Sequence, residues 1–202
     1  MKKILLITSS VKGKDSFSIR LSNAILEKLT AAYPGSSVYT RDLTVNPLPH
    51  LDETHLGAFF TPNELQTETQ QKAIQYSNQA IQELMEADIV VIGVPLYNFG
   101  VPSTLKAWVD HIARAGVTFS YEDGFPKGLV VNKKVYLAIA SGGVYSEGPR
   151  KGYDFSDPFL RAALGFLGIT DVTTFRVEGI AMPELQDSAF PKALDTLDAF
   201  AF

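Results

Sequence analysis

The hydrophobic positions of the chain fall into short continuous runs, separated by longer stretches in which apolar residues recur every three or four positions. Four of the runs are rich in β-branched residues and do not alternate with polar positions, which is typical of strands buried on both faces of a parallel sheet. A fifth, more polar run is typical of an edge strand. The five predicted strands cover residues 4–8, 37–42, 89–94, 135–140 and 172–177.

Between these runs the apolar spacing predicts helices. The first helix ends at Pro34-Gly35, a typical stop signal, and the last of the four clearest ones is closed by Gly168. The alternation of strand and helix predicts a doubly wound α/β sheet with helices on both faces, in one domain over residues 1–202. The helical segments are residues 19–29, 70–85, 105–112 and 159–167.

Residues 44–68 are the least regular part of the chain. They are rich in Pro, Thr and Asn, yet they hold Leu56, Phe59 and Phe60. A stretch of this length without clear periodicity is usually functional or partly helical. The apolar residues favour a helical segment packed on the domain over a mobile lid, but both remain open at this point.

Composition narrows the function classes. The chain of 202 residues has a formal net charge of −4 and no basic run, so we expect neither a nucleic-acid nor a membrane partner. Cysteine is absent, which removes thiolate chemistry and fits a reducing cytoplasm. The N-terminal apolar run stops at Thr8, and no run reaches the ~20 residues of a membrane span. We therefore expect a cytoplasmic protein.

The loop after the first strand is rich in hydroxyls and leads into a helix. In an open α/β sheet, ligands bind beyond the carboxyl ends of the strands, where free N–H groups of a helix N-terminus attract anions. Ser10, Ser16 and Ser18 could each donate to a phosphate oxygen, although a serine here could equally cap the helix. The loop matches neither common nucleotide-binding glycine motif, which disfavours triphosphates and dinucleotides.

The loop after the third strand contains Tyr97, Asn98 and Phe99, framed by Gly100 and Pro102. It offers the flat apolar wall and the backbone N–H donors that a flavin ring requires. The alternative is that the two aromatic residues only cover the core. The glycine and proline disfavour that alternative because they indicate a fixed backbone.

The loop after the fourth strand begins with Ser141, Gly142 and Gly143. Paired glycines let the backbone approach a planar ligand and direct N–H groups at it, although an isolated pair would indicate only a turn. With a strand order of 2-1-3-4-5, the loops after strands one, three and four surround one switch point. We therefore predict that the three unusual loops form one site.

Other side chains add little chemistry. His50, His55 and His111 lack the spacing of metal ligands, so we expect no metal site. Trp108 is more typical of a core or dimer contact than of a cofactor stack.

Together the three loops resemble those of the FMN-dependent NADH azoreductases, also described as quinone reductases. The resemblance covers essentially the whole chain, and the loop P-x-Y-N-F-x-x-P is its most specific part. Leu96 stands where the family commonly has Met, and Phe17 where Gln is frequent, which affects only the tuning of the flavin. The motifs are Ser10 with Ser16-Phe17-Ser18, Pro95-Leu96-Tyr97-Asn98-Phe99, and Ser141-Gly142-Gly143.

The resemblance implies a flavodoxin-like fold and one non-covalent FMN per subunit. The FMN phosphate is expected on Ser10 and residues 16–18, and the ring against residues 95–99 and 141–143. It also implies a homodimer, with Tyr121 and Phe166 near the substrate or the partner subunit's flavin. NADH then donates hydride, and a quinone or an azo compound accepts it in a ping-pong sequence.

Because the flavin carries the chemistry, we expect no catalytic side chain. Two alternatives remain: an electron-transfer flavodoxin, and a non-enzymatic domain of the same fold. A flavodoxin is expected to have a denser phosphate loop and a stronger acidic face than a charge of −4 gives. The residues do not distinguish NADH from NADPH, nor one acceptor from another.

Overall fold

A five-stranded parallel sheet forms the centre of the protein, whose computed structural model describes residues 1–202. Its strand order is β2-β1-β3-β6-β7, which confirms the predicted order 2-1-3-4-5 when the strands of this sheet are counted alone. A separate antiparallel hairpin, β4-β5, was not predicted. The strands are β1 Lys3–Thr8, β2 Ser37–Asp42, β3 Ile89–Pro95, β4 Phe119–Glu122, β5 Phe125–Gly128, β6 Lys134–Ser141 and β7 Asp171–Glu178.

Six α-helices connect or flank the strands, and the four predicted ones are confirmed. Helices α1 and α6 cover one face of the sheet, and α3, α4 and α5 cover the other. None of these helices is long and apolar enough to cross a membrane. The helices are α1 Phe17–Ala32, α2 Glu53–Phe60, α3 Glu68–Glu86, α4 Ser103–Ile112, α5 Ser156–Phe166 and α6 Gln186–Asp198.

Each inner strand supplies side chains to two cores, one on each face. In β1, Ile4 and Leu6 pack against α1, whereas Leu5 and Ile7 face α3. Successive side chains of a strand point to opposite faces of the sheet. When both faces are covered, every position is buried, so apolar and polar residues do not alternate. This explains the continuous apolar runs in the sequence.

The connection between β2 and α3 is packed on the domain. It contains α2, which is capped by the side chain of Asp52 and buries His55 and Ala58 against its surroundings. The ring of His55 lies 5.2 Å from that of His111, which α4 carries in the core. The structure therefore favours the packed helical segment over a lid.

His111 predicts an acid-sensitive step in stability. Its side chain is fully buried, and its Nε2 donates to the carbonyl of Pro49 at 2.9 Å. Burial lowers the pKa of His111 below its usual 6.5. The unfolded chain therefore binds a proton at higher pH than the folded one. The free energy of unfolding should fall as the pH drops below about 6.5, by at most about 1.4 kcal/mol per pH unit.

Urea denaturation between about pH 5 and pH 8 measures this slope. His111→Gln keeps a donor for Pro49 without the titration, so its slope should be shallower than that of the wild type. His50→Gln, at an exposed position, serves as the control and should keep the wild-type slope. An unchanged slope in the His111 variant would show that another group causes the acid sensitivity.

Candidate functional site

The loop after β1 ends at an α1 N-terminus that no side chain caps. Ser10, Ser16 and Ser18 are all buried, and the hydroxyls of Ser16 and Ser18 bond to each other at 2.9 Å. The side chain of the N-cap residue Ser16 does not bond to the helix backbone, so the structure does not support the alternative that this serine caps α1. The first N–H groups of a helix have no intrahelical partner and, with the helix dipole, favour an anion.

Phe17 contributes to this loop through its backbone. Its ring packs on Phe190 of α6, with centroids 5.9 Å apart, and the guanidinium of Arg20 lies 4.9 Å from the ring centroid. The side chain thus faces the neighbouring helix, and its N–H group lies in the first turn of α1. Phe17 thus keeps the backbone N–H donor, although Gln is frequent at this position in the family that the sequence resembles.

The loop after β3 is a tight turn. Tyr97 and Gly100 exchange both backbone hydrogen bonds at 3.1 Å, and the two residues between them have positive φ, 48° for Asn98 and 70° for Phe99. This is the geometry of a type I′ turn. The Tyr97 hydroxyl lies 3.1 Å from Ser10 Oγ, which joins this loop to the one after β1. Two of the three predicted loops therefore meet.

Phe99 connects the same turn to the region after β6. Its ring is 47% exposed and lies 6.3 Å from the ring of Tyr145 and 5.6 Å from that of Tyr153. Its carbonyl accepts the N–H of Phe155 at 3.0 Å. The aromatic contacts bring the second and third loops together, as predicted from the switch point.

The left-handed backbone at Phe99 predicts a measurable strain. A non-glycine residue at positive φ costs roughly 1–2 kcal/mol. We therefore expect Phe99→Gly to be about 1 kcal/mol more stable to urea than Phe99→Ala, because only the alanine variant keeps the strain. The matched pair Leu96→Gly and Leu96→Ala, at ordinary φ, should show the opposite order. Equal stabilities of the two Phe99 variants would contradict a strained turn.

The loop after β6 contains a row of backbone N–H groups without partners in the chain. The carbonyls of Ser141, Gly142 and Gly143 accept backbone N–H groups of residues 179–181 at 3.0–3.3 Å. In a trans peptide the next N–H points opposite to the carbonyl, and the chain has no cis peptide. The N–H groups of Gly142, Gly143 and Val144 therefore face the other way, and none donates within the chain.

The two glycines of this loop lie in close contact with their neighbours. A Cβ at Gly142 would lie 3.3 Å from the Cβ of Ala181, whereas one at Gly143 would lie 2.8 Å from Arg150 Nη1 and 3.3 Å from the Tyr145 ring. A side chain at either position would therefore press on atoms already packed against the loop, which is why glycine suits both. The free N–H donors and the aromatic turn fit the edge of a planar, polar ring such as a flavin.

Tyr121 and Phe166 lie together but apart from the three loops. Phe119 contacts both, with ring centroids 5.8 Å and 4.4 Å away, and Tyr121 is 65% exposed. No hydrogen bond or aromatic contact joins this pair to the loops within one chain. Their predicted approach to a substrate or a partner's flavin stays a prediction.

Two concavities of the protein lie away from the three loops. One of 460 Å³ lies between β2 and α3, and one of 550 Å³ lies beside α2; no residue of the three loops lines either. No three His, Asp or Glu side chains converge as metal ligands would.

Sequence reasoning missed the residues behind the third loop. Glu178 accepts the N–H groups of Tyr145 and Ser146 at 2.7 and 2.9 Å, and Arg176 lies beside it. The available signal was two charged residues, Arg176 and Glu178, at the end of a strand that the sequence predicts.

Comparisons with known proteins agree with this arrangement. The family of the flavodoxin-like fold matches residues 2–201. An FMN-dependent NADH:quinone oxidoreductase of Herminiimonas arsenicoxydans is 49% identical over 199 residues, with 98% of each chain covered. Among solved structures, an azoreductase of Bacillus anthracis strain Sterne has a TM-score of 0.90 at 30% identity, over 97% of this chain and 96% of its own.

A second structure from that species, an FMN-dependent NADH-azoreductase in complex with FMN, has a TM-score of 0.85 at 28% identity over 98% of both chains. The extent of these matches covers all three loops and both cores. The chain belongs to the flavodoxin-like family, in the group of the FMN-dependent NADH:quinone oxidoreductases.

Proposed function

We propose that this protein is an FMN-dependent NADH:quinone oxidoreductase that also cleaves aromatic azo compounds to amines. The observation that carries the proposal is the meeting of three loops, which present unpaired helix N–H groups, buried hydroxyls and three free loop N–H groups on one side of the sheet. The names of relatives at up to 49% identity support it.

The phosphate of FMN is assigned to the α1 N-terminus. Ser10, Ser16 and Ser18 supply hydroxyls, and Phe17 supplies its N–H group. No arginine or lysine side chain bonds to these hydroxyls, although the backbone N–H of Lys12 donates to Ser10 Oγ at 3.3 Å. The helix dipole and the N–H groups supply positive field at the phosphate, and the charged side chain of Lys12 belongs to the same loop.

The ring is assigned to the other two loops, formed by Pro95, Leu96, Tyr97, Asn98 and Phe99 and by Ser141, Gly142 and Gly143. When bound, FMN supplies two-electron hydride chemistry between NADH and the acceptor. The N–H groups of Gly142 and Gly143 hold partial positive charge where the reduced ring gains electron density. Because these donors are fixed by residues 179–181, they need no reorganisation during the reaction.

NADH and the acceptor use one open face in turn, which gives ping-pong kinetics. An azo bond needs two such turnovers, with protons drawn from water. We place Tyr121 and Phe166 of one subunit over the site of another in a homodimer with one FMN per subunit. Their exposure in a single chain supports this assignment. We further propose that residues 1–202 act as one FMN-binding domain in the cytoplasm.

Stopped-flow mixing of the FMN-loaded protein with NADH or NADPH tests the proposal. Flavin absorbance should bleach on mixing with NADH and return on addition of a quinone or an azo dye. Indifference to both nicotinamides, with FMN retained, would favour an electron-transfer flavodoxin. A colourless protein that fails to retain added FMN would overturn the proposal.

A further inference from the structure

Four charged side chains form a partly buried cluster at the end of β7. Arg176 Nη2 donates to Asp154 at 2.7 Å and to Asp157 at 2.8 Å, and its Nη1 lies 3.7 Å from Glu178. Side-chain exposure is 18% for Arg176 and 5% for Asp154. Burial would lower the pKa of Arg176, but the hydrogen bonds and charges of the two aspartates outweigh it and raise the pKa. We call Asp154, Asp157, Arg176 and Glu178 the β7 cluster.

One carboxylate of the β7 cluster fixes the loop after β6, residues 141–144, which we call the glycine loop. A single carboxylate oxygen of Glu178 accepts the N–H groups of Tyr145 and Ser146, and the other oxygen accepts the Ser146 hydroxyl. These bonds immediately follow Gly142, Gly143 and Val144, whose N–H groups are free. Glu178 therefore holds the chain just after the three free N–H groups. Residues 179–181 hold the carbonyls of Ser141, Gly142 and Gly143 on the other side of the same peptides.

A second carboxylate of the cluster is connected to the aromatic turn after β3. Asp154, which lies just before α5, accepts the N–H groups of Ser156 and Asp157 and so fixes the start of that helix. Its neighbours contact the turn directly: the Tyr153 ring packs on that of Phe99, and the Phe155 N–H donates to the Phe99 carbonyl. One guanidinium thus connects both loops assigned to the flavin ring.

The arrangement is poor as a source of stability alone. Arg176 Nη1 is buried without a hydrogen-bond partner, and three carboxylates surround one guanidinium. Buried ion pairs are weak evidence for stability, because desolvation offsets much of their attraction. Holding two loops in one geometry is the role that this arrangement supports.

We propose that Arg176 and Glu178 are positioning residues for the flavin ring, which set the glycine loop and the Phe99 turn at a fixed separation. The inference rests on the proposed function. Neither residue belongs to the three loops: Glu178 acts through the backbone N–H group of Tyr145, and Arg176 acts through the carboxylates of Asp154 and Glu178. The phosphate end, at the α1 N-terminus, shares no contact with the β7 cluster.

The test compares FMN with riboflavin, which has the ring but no phosphate. Dissociation constants are measured by flavin fluorescence on full-length apoprotein for Arg176→Lys, Arg176→Met, Glu178→Ala and Glu178→Gln. Both ligands should bind about tenfold more weakly to Arg176→Lys and Glu178→Ala, with an unchanged ratio between them. Glu178→Gln, which keeps a carbonyl acceptor, should recover part of the loss.

The midpoint potential of bound FMN gives a readout that a loss of stability would not move. If the reduced ring loses tenfold more affinity than the oxidised one, the potential becomes more negative by about 30 mV. Arg161→Met is the matched control, because Arg161 also pairs with Asp157 but contacts neither Asp154 nor Glu178. It should keep the wild-type constants and potential.

The possible outcomes separate this inference from the proposed function. If wild-type protein binds FMN and the Arg176→Lys and Glu178→Ala variants match it in both affinities and in potential, the positioning role is wrong. A changed FMN-to-riboflavin ratio would also overturn it, since the effect would then lie at the phosphate. If Arg176→Met fails to fold, the flavin affinities and the potential of Arg176→Lys test the role of Arg176. Failure of the wild type to take up FMN overturns the proposed function itself.

Discussion

Ser16→Asp is expected to abolish FMN binding while leaving the apoprotein folded. Aspartate is a good N-cap residue, and α1 has no side-chain cap to lose. The lost bond between the Ser16 and Ser18 hydroxyls and the burial of a charge oppose the gain from capping, so the free energy of unfolding should fall by no more than about 2 kcal/mol. The new carboxylate occupies the N–H groups and repels the phosphate by about 4 kcal/mol per unit charge at close range, so affinity for FMN should fall at least 100-fold.

Riboflavin and a neutral substitution are the controls for this result. Riboflavin lacks the phosphate, so its affinity for the Ser16→Asp variant should stay within about twofold of wild type. Ser16→Asn has nearly the same shape and no charge, and it should lose less than about tenfold in FMN affinity. Fluorescence titration measures each of these dissociation constants. Wild-type FMN affinity in the aspartate variant would show that the phosphate does not lie at α1.

Gly128→Ala is expected to be the most damaging of the small substitutions. Gly128 ends the β4-β5 hairpin where it crosses the turn after α5, and a Cβ there would lie 2.1 Å from the Gly168 nitrogen and 2.3 Å from the Leu167 carbonyl carbon. Both are backbone atoms, so the hairpin must move away from α5. Overpacking of this kind destabilises by about 3 kcal/mol.

The same substitution at Gly165 provides the contrast. Gly165 lies in α5 with open space around a new Cβ, so Gly165→Ala should gain about 0.5–1 kcal/mol. Urea denaturation of both variants measures the difference. If Gly128→Ala were as stable as wild type, the close approach of the two backbones would be wrong. The hairpin carries Tyr121, so displacement should also alter its surroundings, visible as changed tyrosine fluorescence.

The central sheet could be predicted because its information is local. Each inner strand is covered on both faces, so nearly all of its residues are apolar and the strand can be recognised from them alone. The buried run from Ile4 to Ile7 is an example. The hairpin could not be found in this way, because β4 and β5 are four residues each and mostly exposed. Its turn, Asp123-Gly124 with φ of 51° and 82°, carries the one local signal that predicts it.

The functional site likewise has a part that local sequence predicts and a part that it does not. The three loops follow strands that the sequence predicts, and the sheet order brings Ser10 and Tyr97 into contact. The β7 cluster depends on pairs far apart in the chain, such as Glu178 with Tyr145, 33 positions away. No periodicity encodes such a pair, and only the completed sheet places the two residues together.

If the FMN phosphate binds at the uncapped start of α1, as we propose, that site links the protein's lifetime to its cofactor. Helix N–H groups that lack a partner in the apoprotein gain one when an anion binds, so the folded state is favoured by the ligand. At a free concentration of 100 times the dissociation constant, this stabilisation is about 2.7 kcal/mol. Differences of that size change the steady-state abundance of a protein several-fold through proteolysis of its unfolded form. The amount of this enzyme in a cell would then follow flavin supply without any change in its synthesis.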